Sequence, residues 1–149
     1  MVQWRHGTNC EVQGNQEMTR DELGQSQFLI VDDDALSRDI MAGVLDRIGC
    51  GKVLCAENAD SGLSLARHHK PDFILLDIYM PQVDGWALLD KLRAALPKVV
   101  VLMITGSIRP DDFKKSLDKH VDGFCIKPVL PNIMLKALTQ AHERRQALR

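Results

Sequence analysis

Side chains suited to metal and phosphate chemistry stand at four points of the chain, each directly after an apolar run. They are the acidic triplet Asp32 to Asp34, then Asp77, Thr105 and Lys127. Adjacent carboxylates repel one another, and their ionised forms become favourable together when a cation lies between them. Oxygen-only ligands favour a hard cation, Mg²⁺ or Mn²⁺. If the fold brings these points together, the sequence predicts a carboxylate metal site with a hydroxyl and an ammonium beside it.

Each of these side chains also has an ordinary structural role. The acidic triplet suits the capping of a helix as well as metal binding, and Asp34 is the acid that we expect at the N-cap. Thr105 at a strand end is commonly a β-former or a cap. Lys127 can point back along the strand edge as a point charge for phosphate, whereas a single strand-end lysine is commonly solvated. The chemical interpretation therefore depends on the joint occurrence of these residues.

Short apolar runs alternate with segments of helical periodicity from residue 27 onward. We predict strands over residues 28–31, 52–56, 73–76, 99–104 and 122–126, and helices that begin near residues 35, 59, 85, 110 and 131. Continuous apolar strands in strict alternation with helices indicate a parallel sheet covered on both faces. The carboxyl ends of parallel strands share one edge, where ligands of such sheets bind. All four chemical points are expected at that edge.

The size and charge of the chain limit its classes of function. Its 149 residues, 45% of them hydrophobic, fit one domain and leave no room for a second, folded output domain. The formal charge of -1 supplies no basic field for nucleic acid. No stretch approaches the ~18 apolar residues that a membrane helix needs. We therefore expect one domain over residues 27–149 that binds neither nucleic acid nor membrane directly.

The N-terminal segment and the cysteines bear on location. Residues 1–26 are polar and lack a sustained period, so we interpret them as a flexible extension with a short helical turn around residues 18–23. They contain no apolar stretch of the secretory type. The cysteines show no paired spacing, which indicates reduced thiols and a cytoplasmic location. They are Cys10, Cys50, Cys55 and Cys125.

Four segments carry the same kinds of side chain in the same order as the receiver domains of response regulators. They are Phe28-Leu29-Ile30-Val31-Asp32-Asp33, Leu76-Asp77-Ile78-Tyr79-Met80-Pro81 with Asp84-Gly85, Met103-Ile104-Thr105-Gly106, and Gly123-Phe124-Cys125-Ile126-Lys127-Pro128. The sequence resembles this family, which serves two-component signal transduction, over residues 27 to about 145. The resemblance implies an α/β, doubly wound (βα)5 flavodoxin-like fold with five parallel strands in the order 2-1-3-4-5.

The resemblance also implies a metal site. Asp33 and Asp77 would be direct ligands of Mg²⁺, or of Mn²⁺, together with the backbone carbonyl of Tyr79. Asp32 would act largely through a metal-bound water. Asp77 would be the phosphoacceptor. The metal would assist it, because a carboxylate attacks a phosphoryl group and displaces the leaving group only when charge on the transferring oxygens is neutralised.

Three further residues take the positions of phosphoryl-binding and switch residues in receivers. Thr105 and Lys127 would hold phosphoryl oxygens. Thr105 would also be drawn toward the phosphoryl group and vacate space into which the ring of Phe124 rotates, so that these two residues form the switch. An aromatic side chain in the last strand is equally well explained as part of the core.

By this resemblance the chain accepts a phosphoryl group on Asp77 from a histidine kinase or a histidine phosphotransfer protein. It would be a signalling switch with weak autophosphatase activity, not a turnover enzyme. Output would pass to an unknown protein through the face formed by the fourth helix, fifth strand and fifth helix of the repeat. Ile108, Phe113 and Leu117 are the apolar residues expected there. The last helix lacks the early acid of dimerising receivers, which favours a monomer or a weak dimer.

The alternatives have different marks in the sequence. A phosphohydrolase of the haloacid dehalogenase type needs a second aspartate two residues beyond the nucleophile, where Tyr79 stands. A dinucleotide-binding domain needs a glycine-rich turn after the first strand, where the acidic triplet would repel phosphates. A phosphorylation-independent pseudo-receiver, acting as an interaction module, shares the fold but usually lacks one of the site residues. A receiver fragment of a larger regulator would carry the same site.

Tyr79, two residues after the expected phosphoacceptor, is bulky enough to obstruct a water molecule that attacks the phosphoryl group in line. We therefore predict a comparatively long-lived phosphoryl form. Tyr79→Ala should speed its decay, measured as loss of the phosphoryl group from the purified protein. An unchanged decay rate would contradict this role of the ring.

Overall fold

Five parallel strands form one sheet with helices on both faces. The computed structural model describes residues 17–107 and 109–147. The strands are β1 Gln27–Val31, β2 Lys52–Ala56, β3 Phe73–Asp77, β4 Val100–Thr105 and β5 Gly123–Ile126. They pair in the order β2-β1-β3-β4-β5. All four pairings are parallel, so the predicted doubly wound α/β fold and its strand order are confirmed.

Within the described residues, six helices surround the sheet. They are α1 Arg20–Gln25, α2 Ala35–Arg47, α3 Ala59–His69, α4 Gly85–Ala95, α5 Pro110–Asp118 and α6 Pro131–Ala147. The expected helix starts at residues 35, 59, 85, 110 and 131 agree with these bounds. None of the helices in the described residues is long and apolar enough to cross a membrane.

Alternate residues of β1 enter two separate buried clusters. Phe28 and Ile30 pack with apolar side chains of α1, α2 and α6. Leu29 and Val31 pack with those of α3 and α4. Because both faces of the sheet are covered, its central strands consist of continuous apolar runs and not of alternating apolar and polar residues.

The helices begin at the capping residues that the sequence indicates. Asp34 accepts a hydrogen bond from the backbone N–H of Leu36 at 3.3 Å, and Asn58 accepts one from that of Ser61 at 2.8 Å. Each such bond satisfies one of the free N–H groups of a first helical turn. The capping role expected for Asp34 is confirmed, which leaves the other two acids of the triplet for different chemistry.

Two strands extend one residue further than predicted at their carboxyl ends. Asp77 is the last residue of β3 and pairs with Ile104, and Thr105 is the last residue of β4 and pairs with Ile126. The prediction that both residues follow their strands is wrong by one position, because the parallel ladder continues through them. Their backbones are therefore fixed by the sheet, which orients their side chains at its carboxyl edge.

Part of the segment predicted as a flexible extension is packed against the domain. The helical turn expected around residues 18–23 is found as α1, whose Leu23 is 1% exposed within the core. The backbone N–H of Met18 donates a hydrogen bond to the hydroxyl of Thr139 on α6 at 3.1 Å. A six-residue helix is marginal by itself, so this burial accounts for its formation. Residues 1–16 lie outside the described part of the chain.

Gly85 lies where the chain returns close to the end of β3. A Cβ atom there would overlap the carbonyl oxygen of Asp77 and lie 2.7 Å from the Cα of Ile78. We predict that Gly85→Ala lowers the free energy of unfolding by about 1 to 3 kcal/mol, the usual cost of overpacking. Urea unfolding would measure this loss.

Gly43, inside α2, supplies the matched control for that substitution. A Cβ atom there would have no heavy atom within 4 Å. Gly43→Ala should therefore stabilise the protein by about 0.5 to 1 kcal/mol through helix propensity alone. If Gly85→Ala behaved like Gly43→Ala, the close approach at the end of β3 would not constrain the site.

Candidate functional site

Three carboxylates converge at the carboxyl edge of two neighbouring strands, and we refer to Asp32, Asp33 and Asp77 as the acidic cluster. The first two follow β1, and the third ends β3, which pairs with β1. Each offers one oxygen atom, and these three atoms lie within 4.8 Å of one another. Asp32 is fully buried, whereas Asp33 is exposed and leaves the cluster open to solvent. Oxygen ligands at this separation fit a hard divalent cation.

The ammonium of Lys127 lies at the same edge. Its Nζ is 2.6 Å from Oδ2 of Asp32 and 3.8 Å from Oδ2 of Asp77. The backbone N–H of Lys127 donates to the carbonyl oxygen of Thr105 at 2.8 Å, which continues the pairing of β5 with β4. The Lys127–Pro128 peptide bond is cis. The structure thus brings together the acids and the lysine that the sequence singles out.

Asp32 is held by several donors at once. Its carboxylate accepts hydrogen bonds from the backbone N–H of Asp34 at 2.9 Å and from the hydroxyl of Ser37 at 2.8 Å, in addition to Lys127. The guanidinium of Arg38 donates to its carbonyl oxygen at 2.7 Å. Ser37 and Arg38 were not predicted from the sequence, because a serine and an arginine in the first turns of a helix carry no signal of such a contact. These bonds offset the cost of burying the charge of Asp32.

Asp77 has the most perturbed electrostatic environment in the acidic cluster. Burial, the largest cause, raises the pKa of its carboxyl group, and the charges of Asp32 and Asp33 act in the same direction. Lys127 and a hydrogen bond from the N–H of Tyr79 lower this pKa, and the net value is about 6. That N–H lies 3.4 Å from Oδ1 of Asp77. One lysine does not balance three carboxylates, so the ionised cluster calls for a further cation.

Thr105 and Phe124, the expected switch pair, stand beside the acidic cluster and not within it. The hydroxyl of Thr105 is buried and donates to the carbonyl oxygen of Ser107 in its own loop at 2.9 Å. The ring of Phe124 is half-buried and packs against the apolar core that includes residues of α3 and α4. The last residue pair between β3 and β4 is Asp77 with Ile104, and Thr105 is the next residue of β4. The side chain of Thr105 is therefore one strand away from Asp77.

The hydroxyl of Tyr79 reaches α5. The hydroxyl donates a hydrogen bond to the carboxylate of Asp112, and the guanidinium of Arg109 lies 4.0 Å from the centroid of the ring. Burial and then the hydrogen bond with Asp112 raise the pKa of Tyr79 to about 12. The phenol is therefore protonated near neutral pH and acts as a donor.

The sequence analysis missed the buried carboxylate of Asp112. It is 2% exposed and also accepts hydrogen bonds from the backbone N–H of Arg109 at 2.9 Å and from the indole N–H of Trp86 at 3.3 Å. Burial raises the pKa of Asp112, but the hydrogen bonds, that of Tyr79 first, outweigh burial and hold this pKa below its usual value. Asp112 follows Pro110 and Asp111 at the start of a helix, where acids commonly complement the helix dipole, so no sequence signal marks its contacts.

The raised pKa of Asp77 predicts a pH dependence of stability in the metal-free protein. An unfolded Asp has a pKa near 3.8, so between about pH 4 and pH 6 the folded chain holds a proton on Asp77 that the unfolded chain releases. The free energy of unfolding should fall as the pH rises through this window, by on the order of 2 kcal/mol.

Asp77→Asn is the matched control, because it keeps the shape of the side chain and cannot titrate. The difference in free energy of unfolding between the variant and the wild type should grow from pH 4 to pH 7 without metal, and Mg²⁺ should reduce it by binding the ionised form. Urea unfolding at a series of pH values measures both. A difference that does not change with pH would contradict the raised pKa.

Comparison with known proteins agrees with this geometry. A family model described as a response regulator receiver domain matches residues 28–139. The transcriptional regulatory protein CitT of Bacillus subtilis is 32% identical over 120 residues, which are 80% of this chain and 53% of CitT. The chain thus spans about half the length of this relative.

Two solved structures have the same fold at similar identity. A CheY-like receiver domain protein from Methanospirillum hungatei has a TM-score of 0.74 at 27% identity, over 83% of this chain and 98% of its own. A response regulator protein from Burkholderia pseudomallei, solved with a phosphorylated aspartic acid, a calcium ion and citrate, has a TM-score of 0.72 at 27% identity, over 83% and 72% of the two chains. By fold, by sequence and by the extent of the family match, the chain belongs to the response regulator receiver domains of two-component systems.

Proposed function

We propose that the chain is a phosphoacceptor switch, in which Asp77 accepts a phosphoryl group from a histidine kinase or a histidine phosphotransfer protein with the help of Mg²⁺. The observation that carries the proposal is the acidic cluster, whose three oxygens lie within 4.8 Å of one another with the ammonium of Lys127 at the same edge. The phosphorylated aspartic acid of the Burkholderia pseudomallei protein supports the proposal by analogy.

The donor set supports a division of roles among the acids. Asp33 is exposed, and within the described residues its carboxylate has no hydrogen-bond partner. The direct metal ligands are Asp33, Asp77 and the backbone carbonyl of Tyr79. Asp32 has its two carboxylate oxygens occupied by Ser37, Lys127 and a backbone N–H, which favours action through a metal-bound water. Mg²⁺, when bound, neutralises charge on the transferring oxygens; Mn²⁺ can take the same ligands.

The transfer itself requires a nucleophile and charge stabilisation. An oxygen of Asp77 bonds to phosphorus as the bond to the imidazole nitrogen of the donor breaks, and the imidazole leaves with the electron pair and takes up a proton. Lys127, 3.8 Å from Asp77, and the hydroxyl of Thr105 hold the phosphoryl oxygens. Water later cleaves the acyl phosphate, so that the chain is a switch with weak autophosphatase activity and not a turnover enzyme.

Signalling follows from the same contacts. A phosphoryl group on Asp77 attracts the hydroxyl of Thr105, which must leave the carbonyl oxygen of Ser107, and the ring of Phe124 then takes up the space. Phe124 lines a groove of about 350 Å³ between α5 and α6, together with Phe113 and Leu117. This groove is the surface that we assign to an output protein; Ile108, expected in it, lies outside the described residues.

The phosphodonor reaches Asp77 across a second surface. Four large apolar side chains of α2 and of the segment around the start of α6 are exposed, and we call them the donor rim: Leu36, Ile40, Leu130 and Ile133. Leu36 and Ile40 line one pocket with Lys127. A protein that brings a phosphohistidine to Asp77 must contact the residues around the opening of the acidic cluster. An apolar rim of this kind fits a helical donor surface better than a small-molecule donor.

We also propose a location, a range of partners and an oligomeric state for the chain. The chain acts in the cytoplasm, binds neither nucleic acid nor membrane directly, and is a monomer or a weak dimer. The formal charge of -1 supports the proposal that the chain does not bind nucleic acid or membrane directly. Cys50, Cys55 and Cys125 are free thiols, which supports the cytoplasmic location. As a receiver fragment of a larger regulator the chain would use the same site. A phosphorylation-independent interaction module is the alternative function, and the complete set of acids and lysine weighs against it.

Phosphorylation by a small donor tests the proposal without knowledge of the kinase. Acetyl phosphate with Mg²⁺ should add one phosphoryl group to the full chain, detected by intact mass, and a chelator or Asp77→Asn should abolish the gain. Lys127→Ala should slow it by about 100-fold, the usual effect of removing one group that stabilises the transferring oxygens.

Folding of the variants is the control for that experiment. Asp77→Asn and Lys127→Ala should unfold cooperatively in urea like the wild type, so that loss of phosphorylation reports chemistry. If the folded wild type gained no mass while Mg²⁺ bound to it, the interaction-module function would replace the one proposed.

A further inference from the structure

Asp112 is a buried acid that the proposed phosphotransfer does not use. It lies in the first turn of α5 and is the buried residue of that helix, yet all its recorded hydrogen bonds come from other segments or from the start of the helix. Oδ2 accepts from the hydroxyl of Tyr79 and the backbone N–H of Arg109, and Oδ1 accepts from the indole N–H of Trp86. One carboxylate therefore joins the loop after β3, the first turn of α4 and the loop before α5.

The ring of Tyr79 lies between the acidic cluster and this carboxylate. Its backbone N–H lies 3.4 Å from Oδ1 of Asp77, and its hydroxyl reaches Asp112. Asp33, Tyr79, Arg109 and Asp112 line one continuous groove of about 620 Å³. The ring is thus fixed at its far end by the carboxylate and flanked on one face by the Arg109 guanidinium at 4.0 Å. Released from the carboxylate, the ring would no longer be held in one position.

We propose that Asp112 is a positioning residue for the chemistry at Asp77: by anchoring the hydroxyl of Tyr79, it holds the ring at the opening of the acidic cluster. The inference rests on the proposed phosphoacceptor function. The leaving group of a phosphodonor and the water that cleaves the acyl phosphate occupy the same position in line with the bond to Asp77. A fixed ring beside that position limits both steps, and an unanchored ring limits them less.

A hydrogen bond from a phenol to a buried carboxylate is strong enough for this role. Charge-assisted hydrogen bonds are roughly twice as strong as neutral ones. Because the carboxylate belongs to the first turn of α5, a displacement of that turn displaces the ring as well. The lifetime of the phosphoryl group is then set in part from α5, a helix of the proposed output surface.

Tyr79→Phe is the sharpest variant, since it removes only the hydroxyl. The bonds of Asp112 to Arg109 and Trp86 remain, so the helix start and the fold are preserved. Tyr79→Phe and Asp112→Asn should each gain a phosphoryl group from acetyl phosphate, and lose it after removal of the donor, roughly threefold to tenfold faster than the wild type. Intact mass against time measures both rates in the full chain with Mg²⁺.

The double variant and a neighbouring acid complete the design. Tyr79→Phe combined with Asp112→Asn should be no faster than Tyr79→Phe alone, because Tyr79→Phe removes the contact that Asp112→Asn weakens by replacing a charged acceptor with a neutral one. Asp111→Asn removes an exposed charge from the same helical turn and should leave both rates at the wild-type value.

Several outcomes would overturn the inference. If Asp112→Asn alone is fast and Tyr79→Phe is not, the carboxylate acts as a helix cap and does not position the ring. If Tyr79→Phe loses the phosphoryl group faster but gains it more slowly, the site is damaged and not opened. If Asp112→Asn fails to fold, the rates of Tyr79→Phe decide alone. A wild type that takes up no phosphoryl group would refute the proposed function, and with it this inference; normal wild-type rates with unchanged variants would refute the inference only.

Discussion

Repulsion among the three carboxylates of the acidic cluster is the constraint on which the rest of the site depends. Oxygens within 4.8 Å of one another carry more negative charge than the single ammonium of Lys127 can balance. That ammonium lies 2.6 Å from Asp32 and 3.8 Å from Asp77. It therefore compensates the negative charge of the fully buried Asp32 more than that of Asp77. Asp77 is left with a raised pKa and an unmet need for positive charge. A residue in that condition is suited to respond to a cation and to a phosphoryl group.

The sheet makes this concentration of charge tolerable because its backbone holds both partners of the ion pair. The N–H of Asp32 donates to the carbonyl oxygen of Ala56 at 3.1 Å, and the N–H of Lys127 donates to that of Thr105 at 2.8 Å. The parallel ladder thus continues one residue past β1 and past β5. Apolar burial on both faces of the central strands supplies the stability against which the charged edge is a cost.

The features that could be predicted from the sequence are those with a local cause. The periodicity and composition of the segments predicted the order of the elements. Asp34 caps a helix as expected, because a cap is set by its immediate neighbours. The strand order and the residue roles came from the family resemblance. The contacts of Asp112 could not be predicted, since Tyr79 lies 33 residues away in the chain and Trp86 lies 26 residues away. The packing of α1 was hidden for the same reason, because the burial of Leu23 depends on elements remote in sequence.

Polar contacts, and not packing in the apolar core, hold α5 in place. A helix held in this way is suited to transmit a change at Asp77. Its buried residue is the acid Asp112, whereas Phe113 and Leu117 are 63% and 60% exposed. A helix with so little buried apolar surface belongs to the less stable part of a fold. The loop that precedes it begins beside Thr105, whose hydroxyl binds Ser107, and ends at the contacts of Asp112. Both ends of this loop are therefore held by side-chain hydrogen bonds, and the proposed phosphoryl group on Asp77 would compete for the hydroxyl of Thr105 at one of them.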